Sequence, residues 1–211
     1  DFPKFKWQVT VGEISLKKED PGEQVFEVEN IYNHELYGKK QFDYDVALIK
    51  IKPSYDGRGI QFSRFVHNVC IVRYAAPPVN TQLLISGWGG LEKQPSGNTP
   101  DVLQFASVPL LDQRACEQKH PYMITDRMFC AGYPDKEISV CQGDSGGPLV
   151  YKTEEDNILY GITSWGVGCA IPDVPAVFAR VAAVYDWIRN VTQFNSDNIN
   201  QTRINCMKNW I

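Results

Sequence analysis

The 211 residues carry a formal net charge of −4 and 43% hydrophobic side chains, enough apolar material for a sizeable core and no basic concentration to suit nucleic acid or an anionic membrane. No apolar run reaches the length of a membrane span, since Arg180 interrupts even residues 175–185. Six cysteines and two N-glycosylation sequons, opening at Asn190 and Asn200, point to a secreted, extracellular protein of an oxidising compartment.

In chain order, residues 6–12, 25–32 and 46–52 read as strands from their β-branched and aromatic side chains. Residues 83–87, 103–110, 148–151, 159–164 and 176–181 read likewise, separated by turns of Pro, Gly and Asn. An all-β protein is the expectation. One exception lies near the end, where Val184, Trp187, Ile188 and Val191 recur at helical spacing and put one apolar stripe on a short helix. Residues 195–211 read as a polar tail.

The segment richest in chemistry is Cys141-Gln142-Gly143-Asp144-Ser145-Gly146-Gly147-Pro148. A serine hydroxyl is a weak nucleophile until a base takes its proton and fixed N–H groups await the oxyanion. Glycines beside Ser145 let the backbone press close to a bound carbonyl. Three more segments accompany it: Asp43-Tyr44-Asp45-Val46-Ala47-Leu48-Ile49, Gly87-Trp88-Gly89 and Ser164-Trp165-Gly166.

In this order, from Trp7 to about Val191, these segments resemble the chymotrypsin-like serine proteases. The resemblance implies two antiparallel Greek-key β-barrels and a C-terminal helix, with the first barrel incomplete in this chain. It assigns a protease domain to residues 1–194: the rest of the first barrel and a linker (1–75), the second barrel (76–180) and the helix (181–194), before the tail (195–211). By the same resemblance Ser145 attacks the scissile carbonyl, Asp45 orients the base, and the N–H groups of Gly143 and Ser145 form the oxyanion hole. Asp144 would pair with the α-amino group freed when a proenzyme is clipped. An isolated aspartate at position 45 would otherwise read as a turn or cap residue.

The base itself is missing. The order is His, Asp, Ser, with roughly 45 residues between the first two and roughly 93 between the last two. Asp45 and Ser145 are 100 apart, which fits with small insertions, and the histidine then falls before residue 1. His34, His67 and His120 stand at other places and read as solvent-facing loop histidines. A preceding segment or companion chain carrying the histidine and the missing strands is therefore expected, together with a polypeptide substrate and protein inhibitors as partners. The alternative is a non-catalytic homologue that uses the same scaffold for binding.

Substrate preference follows from the pocket positions that the resemblance picks out: Ser139, Val140, Ser164, Trp165, Gly166, Gly168 and Ala176. Relatives that cleave after Arg or Lys carry an aspartate where this chain has Ser139, so a preference for aromatic or large aliphatic side chains is expected. Six cysteines allow fifteen pairings. The resemblance implies Cys116 with Cys130 and Cys141 with Cys169, and leaves Cys70 to Cys206 or to an upstream partner. A further bridge common in relatives would join positions 83 and 151, which here are Leu83 and Tyr151. No cofactor is required. Glu13 and Glu23, with Asp20 between them, resemble the calcium loop of several relatives, against the plain reading of a solvated acidic loop.

Overall fold

β-Branched and aromatic residues pair into two antiparallel sheets within residues 7–91 and 99–192, which the computed structural model describes. The first sheet has the order β1 (Gln8–Val11), β2 (Gln24–Asn33), β3 (Ala47–Ile51). Along β2, Phe26 and Val28 turn into the core while Val25, Glu27 and Glu29 face out, as the two-residue strand period dictates.

The second sheet contains β4 (Gln82–Gly87), β5 (Gln104–Pro109), β6 (Met128–Ala131), β7 (Pro148–Lys152), β8 (Asn157–Trp165) and β9 (Ala176–Arg180), in the order β5-β4-β7-β8-β9-β6. Its ends meet. Leu110 bridges Ala131, Leu111 N donates to Cys130 O at 3.1 Å and Gly132 N to Pro109 O at 3.0 Å. Closure satisfies the outer strands and shuts the core inside a barrel. Leu83, Val108, Phe129, Leu149 and Phe178 fill that barrel. Leu83 and Tyr151, on adjacent strands, both join this cluster, so apolar packing occupies the place where relatives carry a bridge.

Two elements escape the sequence reading. Helix α1 (Gln113–Lys119) is capped by Asp112, whose carboxylate accepts from Arg114 N at 3.0 Å and Ala115 N at 3.2 Å. Strand β6 is buried on both faces: Phe129 and Ala131 point into the barrel, Met128 and Cys130 into a second cluster beneath α1. Without alternation, a four-residue apolar run gives no strand period. The expected C-terminal helix is present as α2 (Tyr185–Thr192), after a 3-10 turn at Val181–Val184.

Among the described residues, disulfides join Cys116 to Cys130 and Cys141 to Cys169. Cys70 is also disulfide-bonded; Cys206 lies outside the described residues, as do Asn200 and the tail. Cys70 ties the linker to the second barrel, since Cys70 N donates to Asn157 O at 2.9 Å and Leu159 N to Cys70 O at 2.8 Å.

The expectation that the histidines face solvent holds for one of three. His67 is exposed against Phe62. His34 is 7% exposed, stacked on Tyr44 at 4.4 Å and packed against the tilted Trp187 ring at 4.8 Å. His120 is 3% exposed, and its Nε2 donates to Pro175 O at 2.9 Å. Aromatic neighbours far along the chain bury both rings, and local polarity in the sequence could not reveal them.

Candidate active site

Ser145 stands exposed at a tight turn in which Gly147 N donates to Asp144 O at 2.8 Å. The turn is locked to β8, because Gly146 N donates to Thr163 O and Thr163 N to Gly147 O, both at 2.9 Å. Gly143 has φ +98, and a Cβ there would approach Gly89 Cα to 3.2 Å, so only glycine brings this backbone so near without strain. Among the described residues no hydrogen bond uses the N–H of Gly143 or Ser145. Two uncommitted donors beside a hydroxyl can receive a developing oxyanion.

Asp43 and Asp45 lie on the loop before β3, and their surroundings separate them. Asp43 is buried, and Arg127 binds it through Nη2 to Oδ2 at 2.6 Å and Nε to Oδ1 at 3.1 Å. Burial pushes its carboxyl up, but hydrogen bonds from Arg127 and Thr125 and the guanidinium charge outweigh it and hold the pKa below the ordinary value. Asp45 is half-buried, and its Oδ2 accepts from Ser164 Oγ at 2.6 Å. Among the described residues none of the histidines hydrogen-bonds to Asp45 or Ser145: the nearest in sequence, His34, accepts from Leu36 N at its Nδ1.

Ser145 opens onto a cavity of about 210 Å³. Ser139, Val140, Ser164, Trp165, Gly166, Gly168 and Ala176 line it together, so strand β8, the segment before the nucleophile and the start of β9 converge on one hole. The Cys141–Cys169 disulfide ties the nucleophile segment to the opposite wall. None of the lining side chains is acidic. Phe42, missed by the sequence reading, stacks on Trp165 at 5.6 Å with φ +56; only its place three residues before Asp45 could have flagged it.

A second cavity, of about 250 Å³, borders the first on the far side of Ser139 and Val140 and reaches Asp144. There Asp144 accepts from Gly89 N and Cys141 N, both at 2.9 Å. A Cβ on Gly87 or Gly89 would collide with its carboxylate, which accounts for the glycines flanking Trp88.

The acidic loop is braced by hydrogen bonds. Asp20 Oδ2 accepts from Ile14 N at 2.8 Å and Ser15 N at 2.6 Å, and Glu23 Oε2 from Asp20 N at 3.1 Å. Glu13 has its pKa raised by burial, then by the charges of Glu23, Asp20 and Asp101. Among the described residues no three His, Cys, Asp or Glu side chains are grouped to hold a metal ion. Asn190 is exposed on α2. Among the described residues no helix is long and apolar enough to cross a membrane.

A family model described as Trypsin matches residues 4–188. The chain is 38% identical over 190 residues to transmembrane protease serine 9 of Rattus norvegicus, covering 89% of this chain and 17% of that protein. It is 38% identical over 191 residues to human transmembrane protease serine 5, covering 89% of this chain and 40% of that protein. The chain thus spans well under half the length of these relatives.

Proposed function

The chain belongs to the trypsin family of serine proteases, and from that premise we propose an extracellular endopeptidase that cleaves peptide bonds by acylation of Ser145, with a preference for apolar side chains. The observation that supports this best is the meeting of three groups: Ser164 binds Asp45 at 2.6 Å, and Ser164 and Ser145 line one cavity. A histidine set between Asp45 and Ser145 closes the relay. It takes the serine proton, gives it to the leaving amine, and is held in the right tautomer by Asp45. The three described histidines are engaged elsewhere, His34 by Leu36 N, His120 by Pro175 O and His67 by the Phe62 ring, which supports a base supplied from outside these residues. The N–H groups of Gly143 and Ser145 stabilise the tetrahedral oxyanion, each contribution being about 3 kcal/mol.

The pocket selects by lack of charge. An Arg or Lys side chain buried beside Ser139 has no carboxylate to pair with, at a cost of several kcal/mol. Phe, Tyr, Leu and Met lose nothing polar on entry, and Ala176 narrows the hole by a methyl group. Asp144 serves activation: the cavity beside it receives the α-amino terminus of the clipped protease, whose positive charge draws the carboxylate and sets the oxyanion hole. Disulfides and the sequon at Asn190 support an extracellular location, and both relatives are named transmembrane proteases, so a membrane anchor elsewhere in a longer chain is compatible with it.

A serine-directed phosphonate should label Ser145 of the full-length, activated protein at a rate lost in Ser145→Ala. Absence of label would leave a binding module as the reading. In a peptide library, cleavage after Phe, Tyr, Leu or Met should dominate, and Ser139→Asp should shift it towards Arg and Lys. Efficient cleavage after Arg by the unsubstituted enzyme would overturn the assignment of the pocket.

A further inference from the structure

The Asp43–Arg127 pair joins a buried carboxylate to a half-buried guanidinium and is not used by the chemistry above. Asp43 is 3% exposed. Its Oδ1 accepts from Thr125 Oγ1 at 2.9 Å, Arg127 Nε at 3.1 Å and Tyr44 N at 3.1 Å, and its Oδ2 from Arg127 Nη2 at 2.6 Å. Thr125 and Arg127 belong to the segment that enters β6, where Arg180 N donates to Arg127 O at 2.7 Å. The clamp therefore reaches from the frame of the second barrel to the loop before β3.

Between the two aspartates lies Tyr44, with φ +56. A side chain held in the left-handed region persists only where its surroundings fix it. Here the Arg127 guanidinium lies over the Tyr44 ring at 5.1 Å, and the His34 ring stacks on it at 4.4 Å. The next residue is Asp45, on Ser164. The same two bodies are thus joined twice within three residues, once by Asp43 to Arg127 and once by Asp45 to Ser164.

We propose that Arg127 is a positioning residue for Asp45: by holding Asp43 and the Tyr44 ring it fixes the loop so that the Asp45 carboxylate stays on Ser164 and turned towards the base. This rests on the protease reading above. A purely stabilising role explains the pair poorly, because desolvating the Asp43 carboxylate and part of the Arg127 guanidinium offsets much of their attraction. Its bidentate geometry does fix position. Misplacing a catalytic group by about 1 Å costs on the order of 100-fold in rate. The other charges near the clamp are the exposed Asp126, 4.0 Å from Arg127 Nη1, and His34 with Glu35 across the Tyr44 ring.

The test uses the full-length, activated protease and its Arg127→Met, Arg127→Lys and Thr125→Val variants. Arg127→Met should lower kcat between about 10- and 100-fold while KM moves less than about twofold, the pattern of a lost transition-state interaction. The acid limb of kcat/KM should move to lower pH, since a displaced Asp45 no longer favours the protonated base. Arg127→Lys should recover part of kcat, and Thr125→Val should show a smaller change in the same direction. Amide exchange of residues 44–46 should quicken in Arg127→Met. Unchanged kcat, acid limb and exchange in that variant would overturn the proposal, and so would a loss that Arg127→Lys does not recover and that follows melting temperature alone. If Arg127→Met does not fold, the other two variants carry the same readouts. Failure of the unsubstituted enzyme to take the phosphonate label overturns the protease reading instead, and exchange at residues 44–46 still decides the clamp.

Discussion

Asp43 and Asp45 bear the same carboxylate two positions apart, and only their partners divide them. Sequence motif pointed to the pair, but the Arg127 that engages Asp43 lies 84 residues away, beyond the reach of local reading. His34 makes the same case with a measurable consequence. Burial holds its pKa below the ordinary histidine value, against the opposing pull of Glu35 and Asp43. The folded chain thus binds fewer protons at this site than the unfolded chain, so stability is complete above about pH 6.5 and falls as pH drops below it. Melting temperature should decline from pH 7 to pH 5. His34→Asn, which keeps an acceptor for Leu36 N, should flatten that decline although it loses the stack on Tyr44. An equal slope in both proteins would remove His34 as its source.

Amphipathic elements were the most readily legible in the sequence, although β9, buried along Ala176–Ala179, was read as well from Val177 and Phe178. β2 announced itself because Val25, Glu27 and Glu29 alternate with buried Phe26 and Val28, whereas β6 is buried on both faces and shows no period. α2 was legible from the stripe of Val184, Trp187, Ile188 and Val191, and its role was not. Trp187 packs on His34 and donates through Nε1 to Glu35 Oε2 at 2.8 Å, so the last helix supports the loop behind Asp45. α1 carried one readable signal, Asp112 before a run of helix formers. Its seven residues depend on that cap, because two of the first N–H groups find their acceptor there. Asp112→Ala should cost about 1 kcal/mol, read as a lower urea midpoint with an unchanged slope. Asp112→Asn should recover most of it. A midpoint unmoved by Asp112→Ala would mean that the Cys116–Cys130 disulfide alone holds the helix in place.

Across the whole molecule the two sheets differ in how far they satisfy themselves. The second closes through the bridge between Leu110 and Ala131, and the Cys116–Cys130 disulfide ties α1 to β6 while Cys141–Cys169 joins the segments before β7 and β9. The first has three strands with β1 and β3 at its edges, and Trp7, Val25 and Ile49 are 43%, 51% and 47% exposed. The incomplete first barrel was legible from its few strands, and the residues of the pocket around Ser145 from their resemblance to a known family. The second crossing between the halves, at Arg127, was not. An unequal division of stability follows. Opening free energy rises with buried apolar contact and with closed hydrogen bonding, so in the 211-residue chain amides of β4, β8 and β9 should exchange most slowly and those of β1 and β3 fastest. Ser145 and its pocket belong to the protected body, while Asp45 sits where the less protected sheet joins it. Exchange at Val46 should accordingly be slower than in β1, because Val46 N donates to Tyr44 O at 2.8 Å and Asp45 and Asp43, on either side of Tyr44, are both held from the second barrel. Uniform protection of all strands would mean that the two halves open as one cooperative unit, and that the crossings at Asp43 and Asp45 are strong enough to make them so.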